Sequence, residues 1–327
     1  MSTTVTDNTP NGVPEGSSEG GTPTKGKGPR LTPTGHRSLL EKQGNANSRA
    51  TVNSIAMGVL TGAMVLAVIP LVLILYKVGV EGLSTINLNF FTMDEPTYRT
   101  TEAGYRAGFV GTLYIMAGAI VMAIPLGLAT AIYLVEYGRG RLAGLIRFFT
   151  DVMTGIPSIF VGLFVYGMLI ASGAIFRVGF SAFAASVAIA VIMLPIVTRS
   201  AEEILKLVPD EWRNASYALG AGKARTIMTT VLPAAAPGLA TGSMLAVARG
   251  VGETAPLILT ALGSQYLVTT YFSNAQGAVP LQIHSGATQP FAAGIERAWG
   301  GALCLFLFVL ILVIAARWIG ARANKRA

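Results

Sequence analysis

The sequence predicts an all-α integral membrane protein, a bundle of six transmembrane helices with both termini in the cytoplasm. Three observations carry that expectation. First, only 12% of the 327 residues are charged, 52% are hydrophobic and the mean hydropathy is +0.58. A soluble chain carries about a quarter charged residues, so there is too little polar surface here to coat a pair of water-soluble domains. Second, six apolar segments fall at about 52–76, 107–135, 152–172, 181–198, 235–262 and 298–319. Each is close to or above the ~20 residues a helix needs to cross the hydrocarbon. Third, the positive charges are divided unevenly between the two sides, as set out below.

Residues 1–50 come first and differ from the rest. The stretch "MSTTVTDNTPNGVPEGSSEGGTPTKGKGPR" is Ser, Thr, Gly and Pro with few apolar groups. It cannot bury enough surface to offset the entropy of ordering, so it reads as a disordered cytoplasmic tail, with the membrane domain at 51–327. No apolar core follows the first residues, so it does not read as a signal peptide. Two motif matches in it are accidents of composition. "GSSEG" (16–20) copies a hydrolase elbow. "GTPTKGKG" (21–28) copies a phosphate-binding loop, except that Gly28 stands where a magnesium-holding Ser or Thr is needed.

The six segments follow. The second contains Pro125, the third Pro157 and the fourth Pro195, so kinks are expected there. The fifth contains Gly238 and Gly242, a small-xxx-small pair that reads as helix packing. The sixth is framed by Trp299 and Trp318, about 28 Å apart on a helix and so able to sit at both interfaces. Of the 24 Lys and Arg, eighteen lie in the first tail, the 2–3 loop, the 4–5 loop and the C-terminus. Lys77, Arg99, Arg106, Arg177 and Arg297 lie on the other side, and Arg249 lies inside a span. The positive-inside rule then puts both termini in the cytoplasm. The formal net charge of +8 is spread over membrane-flanking loops and forms no aromatic-studded patch, which excludes a nucleic-acid-binding role. Cys304, the single cysteine, reads as a small core hydrophobe, and two distant histidines, His36 and His284, make no metal constellation. Asp151 is expected to pair with Arg147 by helical spacing, and Glu81, Asp94, Glu95 and Glu102 to form a solvated outer loop.

Two stretches carry the functional signal. Between the fourth and fifth spans, Pro209 followed by Asp210 and Glu211 starts a helix, with acids at the positive end of its dipole. Trp212, Ala215, Ser216 and Leu219 share one face. Gly220 and Gly222 end that helix at a sharp turn where positive φ is expected, and a second short helix, about 223–231, ends at Pro233. The other stretch is "GSMLAVARGVGETAPLILTALG" (242–263) in the fifth span, where Arg249 and Glu253 stand among apolar and small residues. An arginine at the centre of a bilayer costs about 2.5–3.5 kcal/mol on insertion scales, so it must face the bundle interior or a wet cavity. Glu253, one turn on, can reach it. The pair is either a structural pin between helices or an anion site, in which Arg249 offers a planar fork to an oxyanion, Thr254 a hydroxyl, and Glu253 a competing partner that lets the anion leave.

These residues resemble a known family. "NASYALGAGKARTIMTTVLP" (214–233) is similar to the EAA loop of ATP-binding-cassette importer permeases: Ala215, Gly220, Leu232 and Pro233 match, whereas Asn214, Ser216 and Thr230 depart from the pattern. "GTLYIMAGAIVMAIPLGLATAIYLVEYG" (111–138), "GIPSIFVGLF" (155–164), "RGVGETAPLI" (249–258) and "VPLQI" (279–283) resemble the PstA-type phosphate-importer permeases, over roughly residues 105–319. The resemblance implies a type I importer fold and a transport subunit, not an enzyme, of a phosphate importer in the bacterial inner membrane. It implies that the 209–233 loop, through Asn214, Ala215, Ser216, Gly220, Gly222, Leu232 and Pro233, docks into a separate ATPase. It implies substrate-pathway roles for Arg249, Glu253 and Thr254. No cofactor is expected in the chain itself; ATP and magnesium are expected in PstB-like ATP-binding subunits. A PstC-like second permease and a PstS-like extracytoplasmic phosphate-binding protein are the other implied partners. The alternatives are a permease for another oxyanion such as molybdate or sulfate, and an ATPase-independent anion channel or secondary transporter.

Overall fold

The computed structural model describes residues 46–95, 103–172 and 178–323. Most of the expected tail, residues 1–45, lies outside them, as does Glu102. Helix α1, Ala46–Thr85, begins before the boundary expected at residue 51. The chain divides into two compact units at Ala67/Val68. In the first, Val52, Ile55, Leu60, Met64 and Leu66 of α1 are all exposed. Among the described residues of this unit, α1 buries none of these apolar side chains.

The second unit holds the remaining elements: α2 (Leu88–Thr92), α3 (Arg106–Ile132, prolonged by a wide helical turn at Tyr133–Tyr137), α4 (Arg141–Gly155), α5 (Ser158–Val165, with a second wide turn to Ala171), α6 (Ala182–Lys206), α7 (Asp210–Ala218), α8 (Lys223–Thr226), α9 (Leu232–Val251), α10 (Ala255–Thr260), α11 (Val279–Ala287) and α12 (Ala292–Ala323). Five helical stretches are long and apolar enough to cross a membrane, and the bent pair α4–α5 makes a sixth. The described residues contain no β-strand, only an isolated bridge from Leu262 to Gln276. The six-span, all-α expectation therefore holds, but two of the spans are not the simple helices expected.

The third segment was expected as one kinked helix over 152–172. Instead α4 and α5 meet at 106°. Pro157 lacks an N–H and forces the residue before it out of the helical region; Ile156 is extended, with φ −75° and ψ 127°. The fifth segment was expected as a continuous span to residue 262. The helix stops at Val251, with Gly252 as its cap, because Gly252, Thr254 and Pro256 cannot together sustain the ladder. At its other end the helix is longer than expected. The second short helix of the loop does not end at Pro233 but runs through it, giving one stretch from Lys223 to Val251. The wide turn at Ile227–Val231 accommodates the missing N–H and bulky ring of Pro233.

Glycines set the central packing of α3, α6 and α9. A Cβ on Gly127 would lie 2.7 Å from Val197, and one on Gly118 would strike the hydroxyls of Tyr271 and Ser186. α3 and α6 therefore run parallel and close. Gly250 meets Met193, Gly242 meets Ser200 and Gly238 meets Ile204, so α9 runs antiparallel to α6. The Gly238 and Gly242 pair serves packing, as expected. α1 is received by α12 at Gly82, where a Cβ would come within 2.8 Å of Leu303, and Thr85 donates to the Glu296 carbonyl at 3.2 Å.

On the outer side, the expected solvated loop is in fact tied down. Arg106 grips Asp94 with two hydrogen bonds, of 3.0 and 2.8 Å, and this guanidinium holds the Asp94 carboxyl below the usual carboxylate range. Glu95 (0% exposed) accepts from Arg297 (1% exposed) at 3.1 Å. Burial pushes the Glu95 carboxyl up to about 7, against the pull of Arg297. A carboxyl raised on folding adds stability below its unfolded value and loses it as pH rises through its folded one. The thermal midpoint is thus expected to fall between about pH 4.5 and 7, and Glu95→Gln to flatten that slope. An unchanged slope in the variant would assign the titration to another group.

Candidate functional site: an arginine at a helix break and a two-helix knob

The contacts between α6 and α9 fix the depth of Arg249. Its neighbour Gly250 packs on Met193, near the middle of the 25-residue α6. Arg249 is therefore in the last turn of α9 yet halfway along the helix beside it. The span expected to carry Arg249 through to residue 262 ends early, at Val251. A cation in the last turn also faces the negative end of the helix dipole.

Arg249 opens onto a cavity of about 870 Å³ enclosed by the α4–α5 corner, α6 and α9. Its other lining groups include Thr154, Ser158, Phe160, Ile192 and Pro195. The walls are mainly apolar, with two hydroxyls and one guanidinium as the polar exceptions. Ile156 and Ser158, on either side of the 106° corner, are both on the cavity wall. Tyr114 is not on the wall.

Glu253 sits in the break after α9, not one turn along a continuous helix, and still reaches Arg249, with Nη2 to Oε1 at 3.4 Å. The arginine side chain is 61% exposed and the glutamate 13%. The contact is long for a charge-assisted hydrogen bond. It leaves most of the five guanidinium donors directed elsewhere. Thr254 begins α10 without capping it through its side chain; its carbonyl accepts from Leu257 and Ile258, and it does not line the cavity. The structure thus brings Arg249 and Glu253 together and leaves Thr254 aside. Gly250 is covered by Met193 and Ile189, whereas Gly252 is exposed.

Between α4 and the C-terminal half of α6 lies a charge network that sequence spacing misassigned. Arg147 does not pair with Asp151. It donates to Glu202 at 2.8 Å and to the Leu134 carbonyl at 3.0 Å. Glu202, 1% exposed, also meets Lys206 at 2.7 Å and Arg199 at 3.5 Å, and Asp151 lies 4.0 Å from Arg199. Nothing local links Arg147 to a residue 55 positions away; only the turn of α4 back along α6 does.

The second candidate is the knob of α7 and α8. Gly220 has φ +83°, as the turn required, and Gly222 precedes α8 in an extended conformation. Ser216 and Thr226 close the corner with a 2.9 Å hydroxyl bond. Asn214 and Ala215 are exposed, Leu219 is 90% exposed, and Trp212, Ala215, Ser216, Leu219 and Gly220 border an open cleft of about 530 Å³. Leu232 packs inward on the cluster around Val231 and Ala235, and Pro233 is exposed beside it. Sequence reasoning missed what fixes the knob. Arg213 binds Glu136 at 3.0 Å and the carbonyls of Val208 and Leu205 at 2.6 and 3.1 Å. Lys223 caps the carbonyl of Glu136 and lies 4.4 Å over the Tyr137 ring. The knob is thereby bolted to the end of α3 while its apolar face stays uncovered.

Comparison with known proteins bears on both candidates. Residues 123–325 match the family of binding-protein-dependent transport system inner membrane components. The chain is 40% identical over 283 residues to the phosphate transport system permease protein PstA 1 of Mycobacterium tuberculosis, covering 85% of this chain and 91% of that protein. It is 38% identical to PstA of Yersinia pestis (84% and 92% covered) and 34% identical to PstA of Haemophilus influenzae (82% and 94%). Among solved structures, a bacterial alginate ABC transporter in complex with its pentasaccharide-bound periplasmic protein shares the fold, with TM-score 0.62 and 13% identity over 86% of this chain and 99% of that one. The inward-facing MetNI methionine ABC transporter matches with TM-score 0.51 and 20% identity, over 68% and 95%.

Proposed function

The chain belongs to the family of binding-protein-dependent transport system inner membrane components, and within it to the PstA-type phosphate permeases, and on that premise we propose how its site works. The chain is the transmembrane subunit of an ATP-driven phosphate importer, and Arg249 is the mid-depth contact for the passing oxyanion. The observation that carries this role is a guanidinium that is 61% exposed to an 870 Å³ apolar cavity and held only at 3.4 Å by its carboxylate neighbour. A guanidinium fork suits phosphate oxygens and is strongest where water is excluded. Glu253 neutralises Arg249 between transport events and competes with the anion for it, so that binding does not become a trap. Thr254 has no direct part.

The exposed face of the knob, from Trp212 to Leu219, is the surface that docks on an ATP-binding subunit, which holds ATP and magnesium; Arg213 and Lys223 carry its movement to α3. A PstB-like ATPase, a PstC-like second permease supplying the opposite wall of the cavity and a PstS-like binding protein complete the importer. The excess of Lys and Arg in the knob and both termini supports a bacterial inner-membrane location with those regions cytoplasmic. A permease for sulfate or molybdate would share the geometry. Reconstitution tests the reading: proteoliposomes bearing the co-purified complex and binding protein are expected to accumulate labelled phosphate, with excess sulfate or molybdate failing to compete. Accumulation that survives an ATPase-dead partner would refute an ATP-driven importer.

A further inference from the structure

The cavity below Arg249 does not end at the middle of the membrane. A second cavity, of about 840 Å³, lies between the cytoplasmic halves of α6 and α9 and reaches Arg317 on α12. The two share Leu245. On α9 the lining residues Gly238, Thr241, Leu245 and Arg249 follow one stripe at three- and four-residue steps, and on α6 Ile192, Ile196, Ser200 and Ile204 do the same. These stripes line two adjoining cavities that meet at the Leu245 side chain.

An oxyanion that leaves Arg249 through these cavities would meet apolar walls unless donors replace its water. Two hydroxyls stand at one level. Gly242 fixes Ser200 beside it, since a Cβ there would fall 2.0 Å from Ser200 Oγ, and Thr241 adjoins Gly242 on the wall of the second cavity. Eight residues of helix place this level about 12 Å below Arg249. The Ser200 hydroxyl has no hydrogen-bond partner among the described residues, although it lies between two packed helices where such groups are normally satisfied. Thr241 donates to the Pro237 carbonyl at 2.9 Å, a bond its hydroxyl can exchange for an anion by rotating about one torsion. At the cytoplasmic end Arg317 is exposed and has no ion pair among the described residues.

We propose that Ser200, Thr241 and Arg317 form an anion-release path, in which the two hydroxyls receive the oxyanion from Arg249 and Arg317 draws it to the cytoplasm. This rests on the reading of Arg249 as an anion contact. Neutral donors between two guanidinium groups bind more weakly than either, which favours onward movement over retention.

The test uses the whole importer in proteoliposomes, with labelled inorganic phosphate and loaded binding protein. Ser200→Ala combined with Thr241→Val keeps side-chain volume and removes both hydroxyls. The expected result is import turnover lower by about tenfold with an unchanged KM for loaded binding protein and unchanged complex yield. Thr241→Ser in the Ser200→Ala background should recover part of the loss. Arg317→Gln should slow turnover and weaken its dependence on internal salt. Native turnover in the double variant would overturn the proposal. So would a loss of import matched by a loss of complex yield, which would assign the residues to packing. A third overturning result is Arg317→Gln stripping bound anionic phospholipid from the purified complex without slowing import, which would make the second cavity a lipid site. Failure of the parent reading looks different: Arg249→Gln would then import phosphate at the native rate in the same vesicles.

Discussion

Arg249→Gln is expected to insert and assemble normally yet lose most phosphate uptake. Removing a mid-depth charge eases insertion, so complex yield should not fall. Loss of a hydrogen bond to a charged group costs about 1.5–3 kcal/mol, so uptake should drop roughly tenfold or more. Arg249→Lys keeps the charge without the fork and should retain partial activity. Glu253→Gln should assemble and turn over slowly, because nothing then competes for Arg249. A structural pin makes the opposite forecast. Each single change would then leave a poorly compensated partner, lowering complex yield, and the double variant Arg249→Gln/Glu253→Gln would restore yield and uptake together. The 61% exposure of Arg249 and its 3.4 Å separation from Glu253 already weigh against a pin, which would bury both groups at close range. Full transport by the double variant would sink the anion role.

Gly220→Leu should uncouple the ATPase while leaving the spans intact. Gly220 sits at φ +83°, where an L side chain costs roughly 1–2 kcal/mol. A Cβ there meets nothing within 4 Å, so the cost lies entirely in the backbone, and the chain can relieve it only by reshaping the corner between α7 and α8. The Ser216–Thr226 bond then breaks and the uncovered face around Leu219 is displaced. Expected readouts are normal membrane yield, weakened co-purification of the ATPase and uptake reduced by about tenfold. Gly220→Asn, which tolerates positive φ, should keep much of the activity. Equal loss in both variants would mean that the backbone angle is not what matters.

How far the sequence alone reached depended on whether a feature was local. The positive φ at Gly220 was legible because a helix stop, a second glycine and a helix start stand within a few residues. Arg249 was legible because a charge inside an apolar run contradicts its surroundings wherever the run ends. The ends themselves were not legible. Pro157 signals a kink in sequence, but whether it gives a bend or a 106° corner depends on how α4 and α5 each pack on the distant α6. Pro233 signals a stop, yet the wide turn before it lets the helix continue. Pairings between distant residues were invisible: Glu95 and Arg297 are 202 positions apart, and Arg213 and Glu136 are 77 apart, and no periodicity links them. For the same reason the acids at 94 and 95 read as solvated when both are engaged.

The continuity of the helix from Lys223 to Val251 has a mechanical consequence. Thr229, on the rim of the knob's cleft, and Arg249, on the wall of the membrane cavity, belong to one rod and are about 30 Å apart at 1.5 Å per residue. A tilt of about 10° around the rod's midpoint swings each end by about 2.6 Å in opposite directions. That displacement is about three quarters of the 3.4 Å separation of Arg249 from Glu253. If the knob docks an ATPase and Arg249 meets the anion, as proposed above, no relay of side chains is needed between them: the rod acts as a seesaw.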